Sequence, residues 1–170
     1  MTEAPEKEIA LAEGVRLVPA TDELLAEIEA DLRPGDKAEH DFGGGNLRRP
    51  DRHSPVWAIL DGEDLLGAGG WLIPADGTWL APVRVAWFLS TRKVDARKKK
   101  FVRLSPRVLA AMAKTLPPWV DRVVVCPMNL YPMSIKWLKR VMKMRVLCEK
   151  EVDGAMFTIL MADRKELENV

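Results

Sequence analysis

Apolar and polar positions alternate along some stretches of this chain and recur at helical spacing along others. Residues 15–18 alternate and stop at Pro19, which predicts a first strand. Thr21 then stands where a helix N-cap is expected, ahead of Leu24, Leu25, Ile28 and Leu32 at helical spacing. Pro34 and Gly35 break that helix, and a second short helix or turn carries Asp36, Glu39 and His40. Gly43 to Gly45 and residues 48–55 form a polar loop rich in glycine and proline. Residues 56–60, the turn Asp61-Gly62 and residues 65–73 read as a hairpin. Gly67, Gly69 and Gly70 within it predict a bulge or a close backbone approach. A turn at Asp76-Gly77 precedes a strand over residues 79–89. Residues 95–114 place Phe101, Leu104, Val108, Leu109 and Met112 on one helical face, with Pro106 threatening a kink. Pro117 and Pro118 end it, and residues 120–126 form a buried strand. Residues 134–144 predict a helix with Ile135, Leu138 and Met142 inward. A closing hairpin follows over 146–152 and 156–162, turning at Asp153-Gly154.

The order is strand, two helices, three strands, helix, strand, helix and two strands. Crossover helices between strands, with a final hairpin, predict an α/β (α+β) fold built on a mixed sheet. There is no internal repeat and no low-complexity tract. Residues 1–13 read as a flexible arm and residues 14–170 as one domain.

Composition narrows the function little. The chain has 170 residues, 48% hydrophobic and 30% charged, as in ordinary globular proteins. Its net charge of +1 gives no overall attraction to nucleic acid, which is not expected as a partner. The charges are unevenly placed. Glu3, Glu6, Glu8, Glu13, Asp22, Glu23, Glu27, Glu29 and Asp31 make the N-terminal segment acidic. Arg92, Lys93, Arg97, Lys98, Lys99, Lys100, Arg103 and Arg107 crowd residues 92–107, against Asp95 alone. That run is either a solvated helix face or an anion site. Cys126 and Cys148 lack metal-ligand spacing, and Cys126 sits in an apolar strand as a small core residue. No signal peptide or membrane span is visible, so no membrane association is expected.

Three motifs carry a family resemblance. Leu32, Arg33, Asp36 and Glu39 match the pattern LRxxDxxE. Ala86-Trp87-Phe88-Leu89-Ser90-Thr91, with Phe101, Arg103 and Ser105, is similar to PWLLxT…FxRxS. Asn129 with Ser134-Ile135-Lys136-Trp137-Leu138-Lys139 is similar to N…SIRWLR. In this order they resemble the acetyl-CoA-dependent N-acetyltransferase (GNAT) superfamily. The narrower match is its branch in tailed bacteriophages, related to internal virion protein A of short-tailed phages. The resemblance covers residues 14–162. It implies a mostly antiparallel sheet splayed between the fourth and fifth strands, near residues 88–91 and 123–126. It implies acetyl-CoA as cofactor, a host or virion protein as partner, and a place in the host cytoplasm or the virion. Leu89, Ser90 and Thr91 would meet the cofactor at the strand end, although Thr91 could equally cap the next helix. Arg97, Lys98 and Lys99 would hold its pyrophosphate, helped by the helix dipole. Asn129 would bond the cofactor or helix backbone, or simply form a turn.

Two departures bear on activity. The superfamily's pyrophosphate loop, Q/R-x-x-G-x-G/A, offers backbone amides to the phosphates. Residues 92–100 contain no glycine, leaving the task to basic side chains. The superfamily often places a proton-donating tyrosine in the last helix. Aligned through Ser134 to Trp137, that position is Leu138, and the usual Gly-Phe is Met142-Lys143. Tyr131 lies outside the pattern. A base is needed to deprotonate an amine. Asp36 and Glu39 share a face if helical, with His40 beside them, and Glu39 is the expected base, direct or through water. The bland alternative is a pair of carboxylates solvating a turn. His53 reads as a loop residue and Trp87 as core. Three readings stand: an N-acetyltransferase, a non-catalytic virion or assembly component, and an inhibitor of a host enzyme.

Overall fold

A computed structural model describes residues 7–45, 47, 55–74, 77–78, 80–130 and 132–169. The predicted turn at Asp76, the start of the strand at Trp79, most of the 48–55 loop with His53, and Tyr131 lie outside the described residues. The elements are β1 (Ile9–Ala10), β2 (Val15–Pro19), α1 (Asp22–Ala30), α2 (Pro34–Phe42), β3 (Val56–Asp61), β4 (Asp64–Leu72) and β5 (Val83–Ser90). They continue with α3 (Lys93–Ala96), α4 (Lys98–Ala113), β6 (Arg122–Val125), α5 (Pro132–Arg140), β7 (Arg145–Val152), β8 (Ala155–Asp163) and α6 (Arg164–Glu168). The strands run in the order β1-β2-β3-β4-β5-β6-β8-β7, a mixed and mostly antiparallel sheet flanked by helices. The chain gathers into two compact units, residues 1–72 with 88–104 and residues 73–87 with 105–170.

In the first unit, part of the expected arm is ordered: Ile9 and Ala10 pair antiparallel with β2. Thr21 caps α1 as expected, its hydroxyl accepting from the Leu24 amide at 3.3 Å. Leu25 and Ile28 bury the inner stripe of α1. Pro34 does not merely break the chain: it is the first residue of α2, where its missing N–H costs nothing. The β3–β4 hairpin slips register between Ile59 and Leu60. Trp57 lies opposite Gly69, where the absent side chain leaves room for an indole that is 1% exposed. Gly67 answers the prediction of a close approach. A Cβ there would collide with the Leu89 carbonyl oxygen, and the Phe88 ring and Ser90 Cα would stand 3.0 Å away.

The predicted helix over 95–114 is two helices. Arg97 leaves helical geometry (φ −120°, ψ 18°), closing α3 before α4 begins. Pro106 sits inside α4 without ending it.

In the second unit, β5 and β6 pair in parallel from Val83–Arg122 to Ala86–Val125. β6 stops at Val125, whereas β5 runs on to Ser90. Antiparallel β8 pairs with β6 on one side and with β7 on the other. β8 alternates, burying Thr158, Leu160 and Ala162, whereas every residue of β7 is exposed. α5 starts two residues earlier than predicted and buries Leu138 as expected. Its end carries Lys143 at φ 56°, and the Met144 amide reaches back to the Leu138 carbonyl at 3.1 Å. The bond spans six positions, one more than the usual helix stop with a left-handed residue, a place normally taken by glycine.

Two substitutions test these backbone constraints. Gly67→Ala should destabilise the protein by ~3 kcal/mol, since backbone rather than a flexible side chain must yield. Lys143→Gly should stabilise it by ~0.5–1 kcal/mol by relieving a left-handed residue. Chemical denaturation of each variant reads both values.

Candidate functional site

The first unit assembles a polar cluster at the end of β5. Thr91 follows the strand and is 1% exposed. Its amide donates to the Leu66 carbonyl at 2.8 Å, and its hydroxyl donates to the Leu65 carbonyl at 2.8 Å. The Arg92 amide bonds the Asp31 carbonyl, and the Arg33 amide bonds the Ser90 carbonyl, both at 3.0 Å. The α1–α2 connection is thereby fixed to the strand end. Asp36, in the first turn of α2, lands beside Ser90, whose buried hydroxyl donates to Asp36 Oδ2 at 2.5 Å. This length is usual for a hydroxyl on a carboxylate. Burial raises the proton affinity of Asp36, opposed first by the Ser90 hydroxyl and then by the Arg33 charge. Arg33 itself pairs with Asp95 at 3.3 Å, and Asp95 takes Lys98 at 3.6 Å.

Glu39 is half-buried on α2, one turn beyond Asp36. His40 turns to the other side of the cluster, with Nε2 at 3.3 Å from Glu29 and Nδ1 at 3.4 Å from Asp41. Glu29 also accepts the Leu47 amide at 2.6 Å, so it ties α1 to the segment after α2. Neither Glu29 nor Arg33 stands out in the sequence as a structural tie, because their partners lie in other elements.

The expected cofactor residues divide. Leu89 is buried, the Ser90 carbonyl is taken by Arg33, and the Thr91 side chain is spent on β4. Arg97 pairs with Asp61 at 3.2 Å and with Asp64. Lys100 joins it on Asp61 at 2.6 Å and on the Glu13 carbonyl at 2.8 Å, and Arg103 pairs with Glu13. The basic run is therefore neutralised in large part by nearby carboxylates. Lys98 and Lys99 remain at the surface. The amides of Val94, Asp95 and Arg97 bond local carbonyls at 2.9–3.2 Å, which closes the stretch that would offer a glycine cradle. The first amide of the α4 ladder is Phe101 on Arg97, so those of Lys98, Lys99 and Lys100 precede it.

In the second unit, both ends of the Asn129 amide are engaged. Its Oδ1 accepts from Thr158 Oγ1 at 2.6 Å and its Nδ2 donates to Glu149 at 3.1 Å. Asn129 thus joins the segment after β6 to both strands of the final hairpin. Leu138 is 4% exposed, and neighbouring Trp137 donates its indole N–H to Ser105 at 3.1 Å. Cys126 lies just past β6 and is half-buried rather than in the core; burial pushes its thiol up, as does Cys148 to a smaller degree, which disfavours the thiolate a nucleophile needs. Among the described residues no cluster suits a metal ion, and no helix is long and apolar enough to cross a membrane.

Asp36 generates a stability prediction. Its folded proton affinity lies above the unfolded value, so its contribution is greatest below pH ~4 and is lost as pH rises through the folded titration. Asp36→Asn should therefore raise Tm at pH 7, with the advantage vanishing below pH ~4. Thermal melts across pH measure this.

No family model matches the sequence, and no curated protein sequence matches it. Solved structures do match. Aminoglycoside acetyltransferase AAC(6')-Ib in complex with coenzyme A gives a TM-score of 0.66 at 11% identity, covering 92% of this chain and 98% of that one. A chimera of the Vibrio cholerae spermidine N-acetyltransferase SpeG and hSSAT gives 0.64 at 11%, covering 92% and 99%. RimL, a ribosomal L7/L12 alpha-N-protein acetyltransferase in complex with coenzyme A, gives 0.60 at 9%, covering 92% and 98%. At these identities the shared property is the fold, and the fold of this chain is that of the GNAT acetyltransferases.

Proposed function

We propose that this chain is an acetyl-CoA-dependent N-acetyltransferase-like protein of phage origin that acts on an amine of a host or virion protein. The observation that carries the reading is Asp36: a half-buried carboxylate of raised proton affinity, held at the end of β5. A base for an ammonium group works best when its proton affinity approaches the working pH, and burial moves Asp36 that way. Asp36 thus stands beside Glu39 as a candidate base, on the strength of its hydrogen bond to Ser90.

The residues fit the cofactor in part. Lys98, Lys99 and the first amides of α4 suit a pyrophosphate, whereas Arg97 and the Asn129 side chain are committed elsewhere. When bound, acetyl-CoA would supply an activated acyl thioester. Leu138 has no proton to give, so acid assistance at that position is lost, a loss of ~10²–10⁴-fold. Slow turnover that relies on a tightly bound protein substrate for orientation fits this site.

A second reading rests on the same leucine. Buried Leu138, together with the neutralised Arg97, suits a GNAT-fold protein that has given up catalysis for assembly in the virion or for inhibition of a host enzyme.

Calorimetry with acetyl-CoA, followed by mass spectrometry of host lysate, separates the two. The enzyme reading expects binding and new acetyl-lysines on a restricted set of proteins. Asp36→Asn should lower the rate ~10²–10⁴-fold with cofactor binding retained. Loss in Glu39→Gln but not in Asp36→Asn would transfer the base to Glu39. Absence of both binding and acetylation would sink the enzyme reading and leave the second.

A further inference from the structure

We propose that Ser90 is a positioning residue for Asp36, and that the Arg33–Asp95 pair balances the charge around this carboxylate. The proposal deepens the reading of Asp36 as base and rests on it. Ser90 is 2% exposed, and its hydroxyl donates to Asp36 Oδ2 at 2.5 Å. Its backbone is fixed as well, through the Arg33 amide on the Ser90 carbonyl and through Thr91 on β4. The Ser90 hydroxyl and the Ser90 amide, both on a rigid strand end, fix where the Asp36 carboxylate sits. Rotation of the Asp36 side chain would leave a buried hydroxyl without its acceptor, which is costly.

Two charges act on Asp36, those of Arg33 and Asp95, and Lys98 reaches the second of them. Arg33 stands just before α2, Asp95 lies in α3, and Lys98 opens α4 and contacts Asp95. Arg33 favours the ionised carboxylate, while Asp95 opposes it both directly and by engaging Arg33. Ser90 and Asp95 therefore act on Asp36 in opposite senses, the former through a hydrogen bond and the latter through charge.

The test uses the full-length protein labelled with ¹³C-aspartate and follows carboxyl titrations by NMR, with Asp36 assigned by its disappearance in Asp36→Asn. Ser90→Ala, which removes the donor and little volume, should move the Asp36 midpoint to higher pH. Asp95→Asn, at a half-exposed position, should move it to lower pH. In the acetylation assay, the acid limb of the pH–rate profile should follow the same two directions. An unmoved midpoint, or two midpoints that shift the same way, overturns the proposal. Opposite midpoint shifts with an unmoved rate profile also overturn it, since Ser90 would then hold a carboxylate that accepts no substrate proton. A wild-type protein with no acetylation at any pH, but with midpoints that move in opposite directions, removes the enzyme reading alone. The hold of Ser90 on Asp36 would stand.

Discussion

The buried Thr91 is the fixed point of the first unit. It uses both its amide and its hydroxyl on adjacent carbonyls of β4, so two backbone acceptors that would otherwise be buried alone are satisfied by one residue. Valine would fill the same space and leave the Leu65 carbonyl unmet. Leu32 forms an isolated bridge with Thr91, and the amides of Arg33 and Arg92 complete a reciprocal exchange between the strand end and the α1–α2 connection. A surface loop would place Asp36 loosely. This connection places it within hydrogen-bond reach of one particular serine.

The charge distribution has a similar internal use. The acidic N-terminal segment and the basic run at 92–107 look in sequence like two separate surfaces. In the fold, Glu13 and Glu27 from the first, with Asp61 and Asp64 from the β3–β4 hairpin, meet Lys93, Arg97, Lys100 and Arg103 from the second. Such pairs, mostly half-exposed, contribute ~0–1 kcal/mol each. Their stronger effect is to lower the positive potential at the start of α4, so that attraction for an anion there falls chiefly to the exposed Lys98 and Lys99.

Periodicity made most of the fold legible. Thr21, the stripe on α1, the hairpin turns and the inward face of α5 all follow from local rules of capping and alternation. The misses are local as well. A two-residue strand at Ile9 carries too little pattern to detect, and nothing in the basic run marks Arg97 as the break between α3 and α4. The site was less legible because its decisive contact joins residues 54 positions apart. Sequence could nominate Asp36 and Ser90 separately, through two motifs, but spacing says nothing about their meeting. Asn129 shows the opposite limit. A cofactor ligand and a structural amide leave the same trace in sequence, and only Thr158 and Glu149 reveal how this one is occupied.

The exposed outer strand β7 carries a hidden instruction about crowding. Among the described residues its outer edge pairs with no strand and faces any second copy of the chain, and Val146, Leu147 and Val152 would add apolar contact. Its charges oppose that use. An antiparallel match centred on Glu149 sets that carboxylate against itself, and one centred on Lys150 sets that ammonium against itself. Both of these registers thus meet a like-charge penalty. The strand's own charges act against pairing with a second copy, a restraint that a neutral strand of the same length would lack.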